Sequence, residues 1–258
     1  MSTANPFMPA SELKHSLQLS VSKQTIRNRL KEKGLNSYVA VKKEVLKPIH
    51  KQKRLEFALK YENWTFNEWK KVCFSDEKLF STFGKGIRRV WRFKHFNPYD
   101  EKYINFVGRS GRSSIPVWAC ISVDFKAIHC IRTNTLNNVY YIAHILENYI
   151  PSLQDDVIFM HDRSPIHTSR NVINWIDNKQ LQVLDWPAKS PDLNPIENVW
   201  AEMERLTNNR HVSTKEELWE LIENTFSELL QEYIEKLIKS MPNRIRKVIE
   251  SRGNWTKY

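Results

Sequence analysis

From Trp69 onward the hydrophobic rhythm of the chain changes, and that change limits the folds open to it. The segments VCFSDEKLFS, RRVWRF, IPVWACISVD and AIHCIRT are short and rich in β-branched and aromatic residues, the composition of strands. NNVYYIAHILENYI then predicts a helix, DVIFMHD an apolar strand, HTSRNVINWIDNK a second helix and LQVLDW a further strand. NPIENVWAEMERL opens another helix, and the remaining sequence is mostly helical in pattern. Antiparallel strands followed by alternating helices and strands define an α/β architecture. The apolar run Val157–Met160 leads into an acid, Asp162. The C-terminal ends of strands are where open α/β sheets place their sites.

Charge divides the chain a second way. Residues 1–60 carry 13 Lys and Arg against 4 acids, a net of +9, while residues 61–258 carry 27 against 25. A basic head before a nearly balanced body points to a polyanion partner, DNA or RNA first among them. Apolar residues make up 41%, which places the chain among globular proteins and not disordered ones. No apolar run approaches the roughly 20 residues of a membrane helix. The start, MSTANPFMPA, lacks the basic-then-apolar order of a secretory signal. Cys73, Cys120 and Cys130 are scattered and form no CxxC, so neither a disulfide framework nor a zinc site is expected, and a reducing compartment fits.

Within the basic head, residues 10–34 read as two short helices, with Ser11 and Ser22 as candidate caps and Gly34 at the end of the second. Ile26 and Leu30 share one face of the second helix. Lys23, Arg27 and Lys31 share another, with Gln24 and Asn28 beside them. Arg and Lys suit phosphates and guanine, and Gln and Asn suit adenine edges, so the pair reads as a helix-turn-helix over residues 1–37. A solvated basic face is the plainer alternative. Residues 38–60 form a basic connector in which Pro48 interrupts any helix from upstream. A helix over 49–61 would turn Leu55, Leu59 and Ala58 inward, and the domain boundary is expected near residue 60.

Three acids stand at element ends: Asp76 after VCFS, Asp162 after VIFMH, and Glu197 at a helix start after PDLNP. Carboxylates from separate elements that converge are what two Mg²⁺ ions need for phosphoryl transfer, because Mg²⁺ prefers hard oxygen donors. Each acid also fits a structural role. Asp76 and Asp162 suit turns. Glu197 suits the third position of a helix capped by Asn194, the reciprocal place in a capping box.

The stretches DWPAKSPDLNPIENVWAEME (185–204), HDRSPIHTS (161–169) and VCFSDEKLF (72–80) resemble the signature motifs of the Tc/mariner superfamily of transposases, in its Tc-one branch. Between Asp162 and Glu197 lie 34 residues, the spacing of that branch. VWACIS, the SMPNRIRKVIESRGNWTKY ending and the VSKQTIRNRLKEKGL helix extend the likeness over nearly the whole chain. The resemblance implies an RNase-H-like domain over 61–258, a mixed sheet flanked by helices, preceded by the small helix-turn-helix segment. It implies Asp76, Asp162 and Glu197 as both catalytic triad and metal ligands, two Mg²⁺ ions that Mn²⁺ can replace, and His167 near the site. It further implies cut-and-paste transposition: cleavage at terminal inverted repeats of double-stranded DNA, strand transfer into a TA target, a homodimer on DNA, and a nuclear location. The family has two helix-turn-helix subdomains where this sequence has room for one, so an N-terminal truncation is expected. It has Arg163 where many members have Asn, a cation that would oppose Mg²⁺ if it pointed inward. The competing reading is an inactive remnant that only binds DNA.

Overall fold

The computed structural model describes residues 7–37, 43–81, 113–133, 136–153, 156–207, 210 and 212–258. The segment RRVWRF and residues 38–42 of the expected connector lie outside the described residues. Two compact units divide between Val45 and Leu46.

In the first unit α1 (Ala10–Ser16) packs with α2 (Lys23–Glu32), and Leu13 and Ile26 are the buried apolar side chains. α2 starts where Ser22 Oγ accepts the Thr25 amide at 3.1 Å, which satisfies one of the amides a helix start leaves unpaired. The chain leaves α2 through Gly34 at φ +78°, a conformation glycine adopts without steric cost. The cap expected at Ser11 is not made: Pro9 is the residue before α1, and Ser11 lies inside the helix.

The second unit begins upstream of α3 (Pro48–Lys60), so the boundary expected near residue 60 falls at 45/46 instead. Pro48 opens this helix at its first position, where a missing N–H costs nothing. The inward face also differs from expectation. Arg54, Phe57 and Ala58 are buried, while Leu55 is only partly so and Leu59 is half exposed. A buried ion pair of Arg54, described below, turns that face of α3 toward the body.

After the short α4 (Phe66–Trp69) comes β1 (Val72–Ser81), followed by β2 (Ser114–Ile121) and β3 (Lys126–Cys130). A mixed helix follows: α5 (Asn138–Tyr140), a π-helical stretch Tyr141–Leu146, α6 (Glu147–Tyr149) and a 3₁₀ turn Ile150–Ser152. Then come β4 (Ile158–Met160), α7 (Arg170–Asn178), α8 (Ile196–Thr207), α9 (Lys215–Glu228), α10 (Gln231–Lys239) and α11 (Met241–Glu250). The strands order β3-β2-β1-β4; β2 is antiparallel to both its neighbours, and β4 runs parallel to β1. LQVLDW yields only a single parallel bridge, Val183 to Phe159, and not a full strand. Pro187, two residues beyond Asp185, has no amide with which to extend a ladder.

Alternation along the strands builds two cores. Val72 and Phe74 of β1, with Val117 and Ala119 of β2, face a core shared with α3, α4 and α8 to α11. Cys73, Trp118 and Cys120 face the other way, onto Tyr141, Ile145, Leu146 and Val172. A sheet buried on both faces by helices is the mixed, RNase-H-like α/β arrangement.

Candidate active site

β1 and β4 pair in parallel with Phe74 opposite Met160. Two residues further along the chain from each stand Asp76 and Asp162, so the register brings both aspartates to the same level, beside the C-terminal end of β4. Asp76 is still inside β1, paired with Ala119 of β2, whereas Asp162 lies just past the end of β4.

Glu197 comes from the first turn of α8. Asn194 fixes that turn. Its Oδ1 accepts the Ile196 amide at 3.2 Å, and its Nδ2 donates to the Ser75 carbonyl at 3.2 Å. The start of α8 is thereby tied to the residue next to Asp76. One turn on, Trp200 is wholly buried and its Nε1 donates to Asp76 Oδ2 at 3.0 Å. Burial, followed by the negative charges of Glu77 and Glu197, pushes the Asp76 carboxyl up to about 7, against the lowering effect of the Trp200 bond. Glu197 and Asp76 are therefore close enough to repel.

Asp162 is held differently. Burial alone would raise it, but His167 and the Ser164 amide outweigh that and hold its carboxyl below the usual range. The Ser164 amide donates to Oδ1 at 2.8 Å, and His167 Nδ1 donates to the same oxygen at 2.8 Å. His167 is buried, which disfavours its cation; Asp162 and Glu77 reverse this and raise it to about 10. Its Nε2 lies 3.3 Å from Glu77 Oε1, near enough for charge attraction but misaligned, so neither atom has a hydrogen bond. The His167 ring stacks on His161 at 4.7 Å between centroids, and Tyr141 approaches it at 4.5 Å. Burial, then the charge of His167, pull His161 down to about 3, so a neutral ring faces a charged one.

Among the described residues no group of three or more His, Cys, Asp or Glu side chains is drawn tightly enough to enclose a metal ion. One oxygen of Asp76 is engaged by Trp200 and one of Asp162 by His167 and Ser164. Asp76, Asp162 and Glu197 are nonetheless hard oxygen donors, and the repulsion on Asp76 is what a cation would relieve. In donor chemistry the trio fits Mg²⁺ or Mn²⁺. Arg163, the cation set beside Asp162, forms an ion pair with Asp185, with both side chains largely exposed.

The residues proposed to read DNA lie in the first unit. Lys23, Gln24, Arg27, Asn28 and Lys31 are all exposed on α2, and Gln24 Nε2 donates to Asn28 Oδ1 at 3.0 Å. Sequence reasoning missed Glu77 and Trp200, and it gave Asn194 its cap but not its second bond to the Ser75 carbonyl. Trp200 carried a signal, since it stands three residues after Glu197 on the same helix and so shares its face.

A family profile described as DDE superfamily endonuclease matches residues 71–219, and one described as transposase matches residues 1–63. The Tc1 transposase of Caenorhabditis elegans is 32% identical over 243 residues, covering 92% of this chain and 88% of the relative. The Mos1 transposase paired-end complex with left transposon end has the same fold, with a TM-score of 0.82 at 19% identity over 98% of this chain and 77% of that one. The Mos1 mariner paired end complex with Mn gives 0.80 at 20% identity, over 99% and 77%. Fold and carboxylate site together define an RNase-H-like DDE nuclease. The chain belongs to the Tc1-type transposases of the DDE superfamily.

Proposed function

We propose that this protein is a cut-and-paste DNA transposase whose triad is Asp76, Asp162 and Glu197. The three carboxylates would hold two Mg²⁺ ions, with Mn²⁺ as a substitute. The ions, when bound, supply electrostatic stabilisation of phosphodiester attack. The chain's own residues set the geometry. The β1–β4 register levels the two aspartates, Asn194 anchors the helix that carries Glu197, and Trp200 and His167 each fix one aspartate oxygen. A water first displaces the 3′-oxygen from a phosphodiester at a terminal inverted repeat, leaving a free 3′-hydroxyl. That hydroxyl then attacks a phosphodiester of a TA target and displaces its 3′-oxygen. The exposed row Lys23, Arg27 and Lys31 grips phosphates, with Gln24 and Asn28 placed for base edges. Joining two ends calls for a homodimer on DNA, and the substrate calls for a nuclear location.

The observation that carries this reading is geometric: the β1–β4 register levels Asp76 with Asp162, and the Asn194 and Trp200 bonds tie the helix that carries Glu197 to β1 beside Asp76. The Arg163–Asp185 pair weighs against an inactive remnant, because the added cation has its own carboxylate. The test is cleavage and strand transfer on a labelled duplex with Mn²⁺, run beside Asp162→Ala. Metal-dependent products that disappear in the variant are expected. Products that persist would remove Asp162 from the triad.

A further inference from the structure

The sequence places Glu77 directly after Asp76, and strand alternation sends the two carboxylates to opposite faces of the sheet. Asp76 shares its face with Phe74 and meets Trp200 and Glu197. Glu77 shares its face with Cys73 and meets His167 in the layer of Tyr141. It therefore cannot act as a duplicate of its neighbour, and its side chain is only a quarter exposed.

We propose that Glu77 is a positioning residue: through the buried ring of His167 it fixes the direction of the Asp162 carboxylate. The inference rests on the triad reading and deepens it. The contacts run in one line. Glu77 Oε1 stands 3.3 Å from His167 Nε2, and His167 Nδ1 stands 2.8 Å from Asp162 Oδ1. The ring between them cannot swing, since His161 stacks on it with planes 11° apart and Tyr141 packs at 4.5 Å. Tyr141 is itself hydrogen-bonded to His161 Nδ1 at 3.2 Å, which closes the cage. Asp162 stands past the end of its strand with its side chain 55% exposed, so the sheet does not hold it. What holds it is His167 and the Ser164 amide, and what faces the far side of His167 is Glu77. Outer partners of this kind fix the rotamer of a ligand and tune its affinity for metal.

Removing the charge while keeping the shape separates this role from packing. Glu77→Gln is expected to weaken Mn²⁺ binding about 10-fold and to slow cleavage similarly, with DNA affinity unchanged. Glu77→Asp, which keeps the charge, is expected to recover part of both. A readout independent of activity is the far-downfield imidazole N–H proton of the His167–Asp162 bond in the metal-free protein. It should broaden or vanish in Glu77→Gln and persist in Glu77→Asp. An unchanged signal with unchanged Mn²⁺ binding in Glu77→Gln would overturn the proposal, as would equal damage from both variants. If the parent protein bound no Mn²⁺ and Asp162→Ala cleaved as well as the parent, the triad reading would fall instead, and the N–H signal would still decide whether Glu77 orients His167.

Discussion

Asp192 and Glu197 stand five residues apart in PDLNPIENVW, in opposite surroundings. Asp192 is buried against Arg54, with Nη1 to Oδ1 and Nη2 to Oδ2 both at 2.7 Å. Arg54 spends its other donors on the carbonyls of Gly253, Lys189 and Asn254. Thr256 donates its amide and hydroxyl to Asp192 Oδ2. All five guanidinium N–H groups are used, the condition under which a buried pair offsets its desolvation. Around Glu197 the balance differs, for burial, followed by the negative charges of Glu77 and Glu197, lifts Asp76 to about 7. The difference teaches a division of labour. The complete pair clamps α3, the C-terminal tail and the loop before α8. The acidic cluster that this loop helps to assemble repels itself at Asp76 and so favours a cation.

Breaking the complete member should have the largest effect. Arg54→Ala leaves a carboxylate buried without its cation and is expected to cost about 3–5 kcal/mol. That corresponds to a fall in Tm of roughly 10 °C for a chain of this size. Thermal unfolding checks it, and a loss below about 2 °C would mean that water or another cation replaces Arg54. Gly253 marks the same clamp. At φ +78° its missing Cβ would sit 2.0 Å from the Lys51 carbonyl, so the tail can lie against α3 only with glycine there.

The next effect belongs to a bond inside the acidic region. Trp200→Phe keeps an aromatic ring against Phe80, whose centroid is 5.8 Å away, and deletes only the donor to Asp76. Cleavage is expected to slow about 10–100-fold while the fold remains. Rates at saturating Mn²⁺ set beside the Mn²⁺ dissociation constant measure it. An unchanged rate would show that Asp76 needs no fixed donor.

Much of this was legible before the structure. The sheet strands announce themselves by alternation, as in Val117–Ile121, and the acids by their places after VCFS and VIFMH. Ser22 and Asn194 cap where their residue types suggest. The Arg54–Asp192 pair was hidden because its members are 138 residues apart and a basic stretch disguised Arg54 as solvent-facing. That same disguise moved the boundary expected near residue 60. Glu77 was hidden for a different reason: adjacency to Asp76 says nothing about function until strand geometry parts the two side chains. The failed cap at Ser11 has a local cause, since Pro9 already sets the helix entry.

The smallest effect is a gain, and it sharpens the contrast most. Asp76 titrates near its ordinary 3.8 when unfolded and at about 7 when folded. Between those values the folded protein retains a proton that the unfolded chain has lost. The Asp76 contribution to metal-free stability, isolated as the difference between the parent and an Asp76 variant, should therefore fall as pH rises from about 4 to about 7 and then level off. Three units at about 1.4 kcal/mol each set an upper limit near 4 kcal/mol, and solvent access and relaxation bring the expected effect to about 1 kcal/mol. Asp76→Asn keeps an acceptor for Trp200 and removes the charge. With chelator present it should be more stable than the parent above pH 7 and indistinguishable below pH 4. Adding Mn²⁺ should reverse the order, since only the parent retains the full set of ligands that couple metal binding to folding. Parallel stability curves across that pH range would show that Asp76 is not strained. The cluster at Glu197 would then be as settled as the pair at Asp192.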